Sequence, residues 1–179
     1  MDEVSFIISL LDDNWSDAVT DTGSGNNTYG DALPGVAQHR VKPTFIDIRS
    51  LVPQQGRRFD ADSGDVVIVY EDSASITHPT IDWTVRNEEY GFTLHIRTLQ
   101  PKGQSVLTFS RDRLKSLYQI VRYVLEKKGL RPSVIDNSIT YKADLVEITG
   151  RSEANDRGKR LLGYKVSVTM KRFGRTIVS

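Results

Sequence analysis

Apolar residues near the N-terminus recur at helical spacing. Val4, Ile7, Ile8, Leu11 and Trp15 make one apolar stripe, which predicts an amphipathic helix over residues 3–15. Asp2 and Glu3 stand at its start, where negative charge suits the helix dipole, and Trp15 is expected to anchor in the core. The period is then lost. Residues 16–43 contain Thr22-Gly23-Ser24-Gly25-Asn26-Asn27, followed by Gly30, Pro34 and Gly35, and read as one long loop. Such a loop either orders against a neighbouring subunit or is plain surface, and the pattern leaves both open.

From Pro43 onward the period shortens to that of strands. Thr44–Arg49 alternates weakly, and Asp65-Val66-Val67-Ile68-Val69-Tyr70-Glu71 is a β-branched run of the kind buried on both faces. Ile81, Trp83 and Val85 share one face of a further segment, and Phe92, Leu94 and Ile96 share one face of the next. A hairpin across Asn87–Gly91 is the expected connection. A helix is predicted over 110–128. Ser110 would be its N-cap, Leu114, Leu117, Tyr118, Val121, Val124 and Leu125 its apolar face, and Gly129 its stop, with Arg111, Arg113, Lys115 and Arg122 on other sides. Strands over 139–148 and 161–171 are expected to form a last hairpin with a charged tip at 151–160. Strands and helices thus segregate. The expected fold is α+β, a mainly antiparallel sheet with an N-terminal helix and a long central helix packed on one face, in a single domain spanning 1–179.

Composition narrows the chemistry more than the fold. The chain has no cysteine, which excludes disulfides, thiolate metal sites and thiol nucleophiles. Its net charge is +1, unlike a protein dedicated to coating nucleic acid, so contact with DNA would need a local patch. No run approaches the roughly 20 apolar residues that cross a bilayer, and Asp2 and Glu3 stand where a secretory signal would carry bases, so an intracellular or particle-bound protein is expected. His39, His78 and His95 are scattered; His78 with Asp82 is the nearest local pair, and a surface imidazole explains it better than a metal. Gly23-Ser24-Gly25 lacks the buried strand that a nucleophile turn requires, and phosphate-binding glycine signatures are absent. Asp60 with Asp62 and Asp12 with Asp13 are adjacent acids that solvated surface accounts for. No catalytic residue, cofactor or metal ligand is assigned, and no enzyme activity is expected.

Basic clusters remain at Arg57-Arg58, at the tip carrying Arg151, Arg157, Lys159 and Arg160, and at Lys171-Arg172-Phe173-Gly174-Arg175. Solvated faces, salt bridges to a protein partner and contact with DNA all fit such clusters. Glu153 and Asp156 dilute the tip.

In the order of its elements, the sequence resembles the tail terminator (tail completion) proteins of long-tailed bacteriophages and archaeal tailed viruses. The shared pattern is an N-terminal helix, the strand Gly64-Asp65-Val66-Val67-Ile68-Val69-Tyr70, the strand Tyr90–Thr98, the helix at 110–128, and a charged loop between two final strands. It covers most of the chain from Thr44 onward; the long 16–43 segment and the size depart from it. The resemblance implies a subunit of a hexameric virion ring that caps the tail tube, stops its polymerisation and meets a head-completion or neck protein. Its partners would be itself, the major tail tube protein and that neck protein, with DNA passing through the lumen. Expected interface residues are Arg57, Arg58, Arg151, Glu153, Asp156, Arg157, Lys159 and Arg160. A neighbouring connector component, or a small nucleic-acid-binding α+β module, are the other readings the pattern allows.

Overall fold

The computed structural model describes residues 1–23, 43–50, 65–79, 85–99, 107–154 and 161–176. Helix α1 (Glu3–Asp13) starts where Asp2 accepts the Ser5 amide at 2.8 Å, the N-cap interaction that satisfies an otherwise orphaned donor. It buries Val4, Phe6, Ile7, Leu10 and Leu11. The chain turns at Asn14, whose side-chain amide donates to the Leu10 carbonyl at 2.9 Å, and resumes as α2 (Trp15–Gly23). Trp15 is buried as expected and meets Phe45 edge-on at 5.7 Å.

The main sheet has the strand order β1 (Thr44–Asp47), β2 (Val66–Thr77), β3 (Val85–Leu99), β7 (Leu161–Thr176), β6 (Leu145–Glu153). Strands β1 and β2 are parallel, and every other pairing is antiparallel. Alternation puts one set of side chains inward. Val67 faces Ile96, Val69 faces Leu94, Leu94 faces Val166, and Phe92 faces Val168, all buried. Against this face lie α1 and α3 (Leu107–Lys128). On α3, Leu114, Leu117, Ile120, Val121, Val124 and Leu125 are at most 3% exposed, and each such side chain stabilises the fold by about 1.5–3 kcal/mol. The protein is therefore α+β, with a mostly antiparallel sheet.

A second, two-stranded sheet pairs β4 (Ser133–Asp136) with β5 (Ile139–Lys142). Asn137 and Ser138 form its turn with φ of +48° and +67°, the two successive left-handed residues of a tight hairpin. Gly129 joins this hairpin to the end of α3. A Cβ there would lie 2.0 Å from the Leu125 carbonyl oxygen and 2.1 Å from that of Val146, so no larger residue fits the approach of α3 to β6.

Several boundaries differ from the sequence expectation. Residues 16–23 of the expected 16–43 loop belong to α2, Pro43 precedes β1, and 24–42 fall outside the described residues. The expected turn at Asn87–Gly91 is strand: β3 passes straight through it, pairs with β2 on one side and β7 on the other, and takes up a bulge between Arg86 and Glu88. Glycine and charge marked a break only because the bonding partners are far away in sequence. Ile81 and Trp83 lie outside the described residues. The expected strand at 139–148 divides at Ala143-Asp144 between the small sheet and β6. Strand β6 then runs on through Glu153, so over the first three residues of the expected tip the backbone is still paired to β7. Helix α3 begins at Leu107, which places Ser110 inside it instead of at its cap.

Candidate interaction surface

Of the residues expected at an interface, Arg57, Arg58, Asp156, Arg157, Lys159 and Arg160 lie outside the described residues. Arg151 and Glu153 are on the edge strand β6 and are exposed. The guanidinium of Arg151 stacks over two rings, 4.7 Å from the centroid of Tyr118 and 4.9 Å from that of Tyr164. Those rings meet each other edge to face at 5.4 Å. Contact with both rings restricts the guanidinium at the surface. Arg151 has no carboxylate partner among the described residues.

Tyr118 also belongs to a helix face. Arg111, Lys115, Tyr118 and Arg122 recur at spacings of four, three and four, so they follow one another down α3. Arg122 is paired with Glu126 in the next turn. Arg111 and Lys115 are exposed and, among the described residues, carry no ion pair.

A second cationic group has the opposite setting. Arg172 on β7 lies over Phe6 and Tyr90, at 5.9 and 5.7 Å from their centroids. It donates to Glu3 at 2.9 Å, approaches Glu88 at 3.5 Å, and donates through Nε to the Lys142 carbonyl at 3.2 Å. Glu88 is buried and accepts the Tyr90 hydroxyl at 3.2 Å. Burial and the neighbouring Glu3 and Glu88 carboxylates push the Tyr90 phenol upward. This cluster ties α1, β3, β5 and β7 together.

On the face of the sheet away from α1 and α3, Tyr70 and His95 meet at 3.0 Å between Oη and Nε2, with Arg97 3.3 Å from Nδ1. Burial, then the charges of Arg97 and Lys165, hold the His95 imidazole below its ordinary value, against a weaker upward pull from Asp72. His95 is thus a neutral ring in a basic neighbourhood. His78 is half-buried just beyond β2, while His39 and Asp82 lie outside the described residues.

The β4–β5 hairpin exposes aliphatic side chains. Ile135 is 71% exposed and Ile139 56%, and Leu130 at the hairpin's base is 73% exposed. Val134 is buried and Tyr141 packs against the core, so the hairpin is anchored on one side while its end stands out. In the last turns of α3, Tyr123 donates to Asp21 at 2.6 Å and accepts Lys127 at 2.7 Å, beside a cleft that Asp17 and Asn14 also line.

Sequence reading found Arg151 but not what fixes it, because Tyr118 counts simply as one of the apolar stripe and Tyr164 falls within the strand expected over 161–171. It took Ile139 only as the start of a strand and passed over Ile135, since a linear pattern does not tell a projecting isoleucine from a core one. Among the described residues, no His, Asp and Glu side chains gather in a group of three that could hold a metal ion. No described helix is long and apolar enough to cross a membrane. No protein-family model matches the chain, and no curated protein matches its sequence.

Proposed function

We propose that this chain is a structural virion protein: a subunit of a ring at the head-proximal end of a long viral tail, which caps the tail tube, ends its polymerisation and joins tail to head. In this subunit α3 is the central helix behind the sheet. The ring, most simply a hexamer, assembles in the host cytoplasm, with the tube protein on one side and a neck protein on the other. The observation that carries the reading is the exposed aliphatic group Leu130, Ile135 and Ile139 on an anchored hairpin. Large apolar side chains left exposed along a hairpin mark a surface that is covered in an assembly. A heterologous contact whose rotation closes gives a finite ring, and a finite ring ends a tube because its outer face offers the next tube subunit nothing to match.

Light scattering and electron microscopy of the purified protein test this directly. Rings are expected from the natural chain, and a monomer of unchanged fold from Ile135→Asp combined with Ile139→Asp. Recovery of the protein with finished tails is the matching result in infected cells. A strict monomer that also fails to bind tube ends would overturn the proposal, and recovery with filled heads alone would move the ring to the neck.

A further inference from the structure

A ring of identical subunits needs two different surfaces on each chain that fit each other, and two sets of charge without ion pairs among the described residues do. The first set is the flank already described: Arg111 and Lys115 on α3, with Arg151 clamped beside them on Tyr118. The second is the α1–α2 corner. Residues 1–23 hold six acidic side chains and no base. Asp2 is taken up by Arg49, Glu3 by Arg172, and Asp21 by Tyr123 and Lys127. Asp13 and Asp17 are exposed and, among the described residues, have no ion pair. The corner packs where Tyr123 and Lys127 are, roughly 140° around α3 from Tyr118, so the two sets face different directions. They cannot neutralise each other within one chain.

We infer that the Arg111–Lys115–Arg151 flank of one copy docks on the Asp13–Asp17 corner of the next. The inference rests on the ring reading and deepens it by naming the two surfaces that meet. The occupant is a second copy because the chain itself supplies the complementary charge, unpaired and on another side of the subunit. Arg151 is the expected anchor: it is already immobilised by two rings, so little conformational freedom is lost when a carboxylate arrives. Glu126 and Glu153 lie on the rim of the basic flank and Lys128 on that of the acidic corner, where they set register by repelling misaligned copies.

Charge reversal with rescue tests this on the full chain. One variant carries Lys115→Glu and Arg151→Glu, the other Asp13→Lys and Asp17→Lys. Each alone presents like charges at every contact, and its assembly, read by mass photometry, should require roughly tenfold or more higher concentration than the natural chain. Mixed in equal amounts, they present opposite charges at every contact of an alternating ring, and assembly should return. Circular dichroism checks that each folds; if Arg151→Glu disturbs the tyrosines, Arg111→Glu with Lys115→Glu takes its place. Rings from the natural chain and equally from both variants would overturn the docking and leave the ring intact. Loss in both variants without rescue by mixing would show that the two surfaces do not meet each other. Salt-sensitive binding of duplex DNA, lost in the first variant while its rings form normally, would reassign the flank to nucleic acid. A natural chain that never assembles would remove the ring and the docking together.

Discussion

Two arginines on neighbouring strands, Arg172 and Arg151, each lie over a pair of aromatic rings and do different work. Arg172 is enclosed, with a side chain 12% exposed, and its donors are spent on Glu3, Glu88 and a main-chain carbonyl. Arg151 is exposed and, among the described residues, has no ion pair. Stacking alone therefore says little about role. What separates the two is whether the charge is answered inside the molecule. An answered charge holds elements together, whereas an unanswered one, held still, is available to another molecule.

The most damaging way to break the comparison is to unseat the flank that carries Arg151. Gly129→Ala places a Cβ against two main-chain oxygens, which cannot rotate away. Helix α3 and β6 would have to separate, at a cost on the order of 4 kcal/mol or more. Urea denaturation should show the cooperative transition lost or shifted to much lower denaturant; a transition at the natural midpoint would show that α3 and β6 are not joined this closely.

Arg172→Met comes next. It keeps the packing over Phe6 and Tyr90 but removes the partner of Glu3 and leaves Glu88, whose side chain is 5% exposed, with Arg86 at 2.6 Å as its remaining cation among the described residues. The expected loss is about 2 kcal/mol, and Glu88→Gln should cost less in that background than in the natural chain. If Glu88→Gln adds its own full cost instead, the two residues are not coupled and the cluster is not what ties α1 to the sheet.

How much of this was legible before the fold was known follows from the range of each interaction. The run at 66–69 and the face of Leu114–Leu125 announced themselves because a period is a local property, and so did Trp15. The extension of β3 through Asn87–Gly91 did not. Its stability comes from Arg172, Lys171 and Met170 across one edge and Ser73–Thr77 across the other, and no window on the sequence contains all of these. The same holds for the surface. Charge placed Arg151 among the candidates, but its distinction from Arg172 is that no acid among the described residues pairs with it, which only the folded chain decides.

Arg151→Met should sharpen the comparison from the other side. The thioether still fills the space between Tyr118 and Tyr164, and an exposed cation over a ring contributes only about 0.5–1 kcal/mol. The melting transition should move little, yet assembly should weaken much as it does on charge reversal. A stability loss equal to that of Arg172→Met would place Arg151 in the same structural class and remove its claim to be a spare anchor.

His95 adds a third case, a base beside an aromatic ring that avoids becoming a cation at all. Its folded value lies below the ordinary 6.5, because it is partly buried and because Arg97 and Lys165 repel a further positive charge. The unfolded chain, free of those neighbours, takes up the proton first. The stability that depends on a neutral His95 is therefore complete above pH 6.5 and is lost as pH falls through the folded value. Asp2 and Asp47 follow in a lower window. Partial burial opposes the charge on Asp2, but the Ser5 amide and Arg49 outweigh it, and the Arg49 guanidinium holds Asp47 down, so both stay ionised to below 3.8. His95→Gln should flatten the stability profile just below pH 6.5, the smallest effect of the set, and leave the acid limb near pH 4 and below unchanged. A profile whose slope just below pH 6.5 survives the substitution would mean that Arg97 and Lys165 do not crowd the ring. The basic side of the sheet would then resemble the Arg151 flank, with charges far enough apart to be met one at a time by a partner.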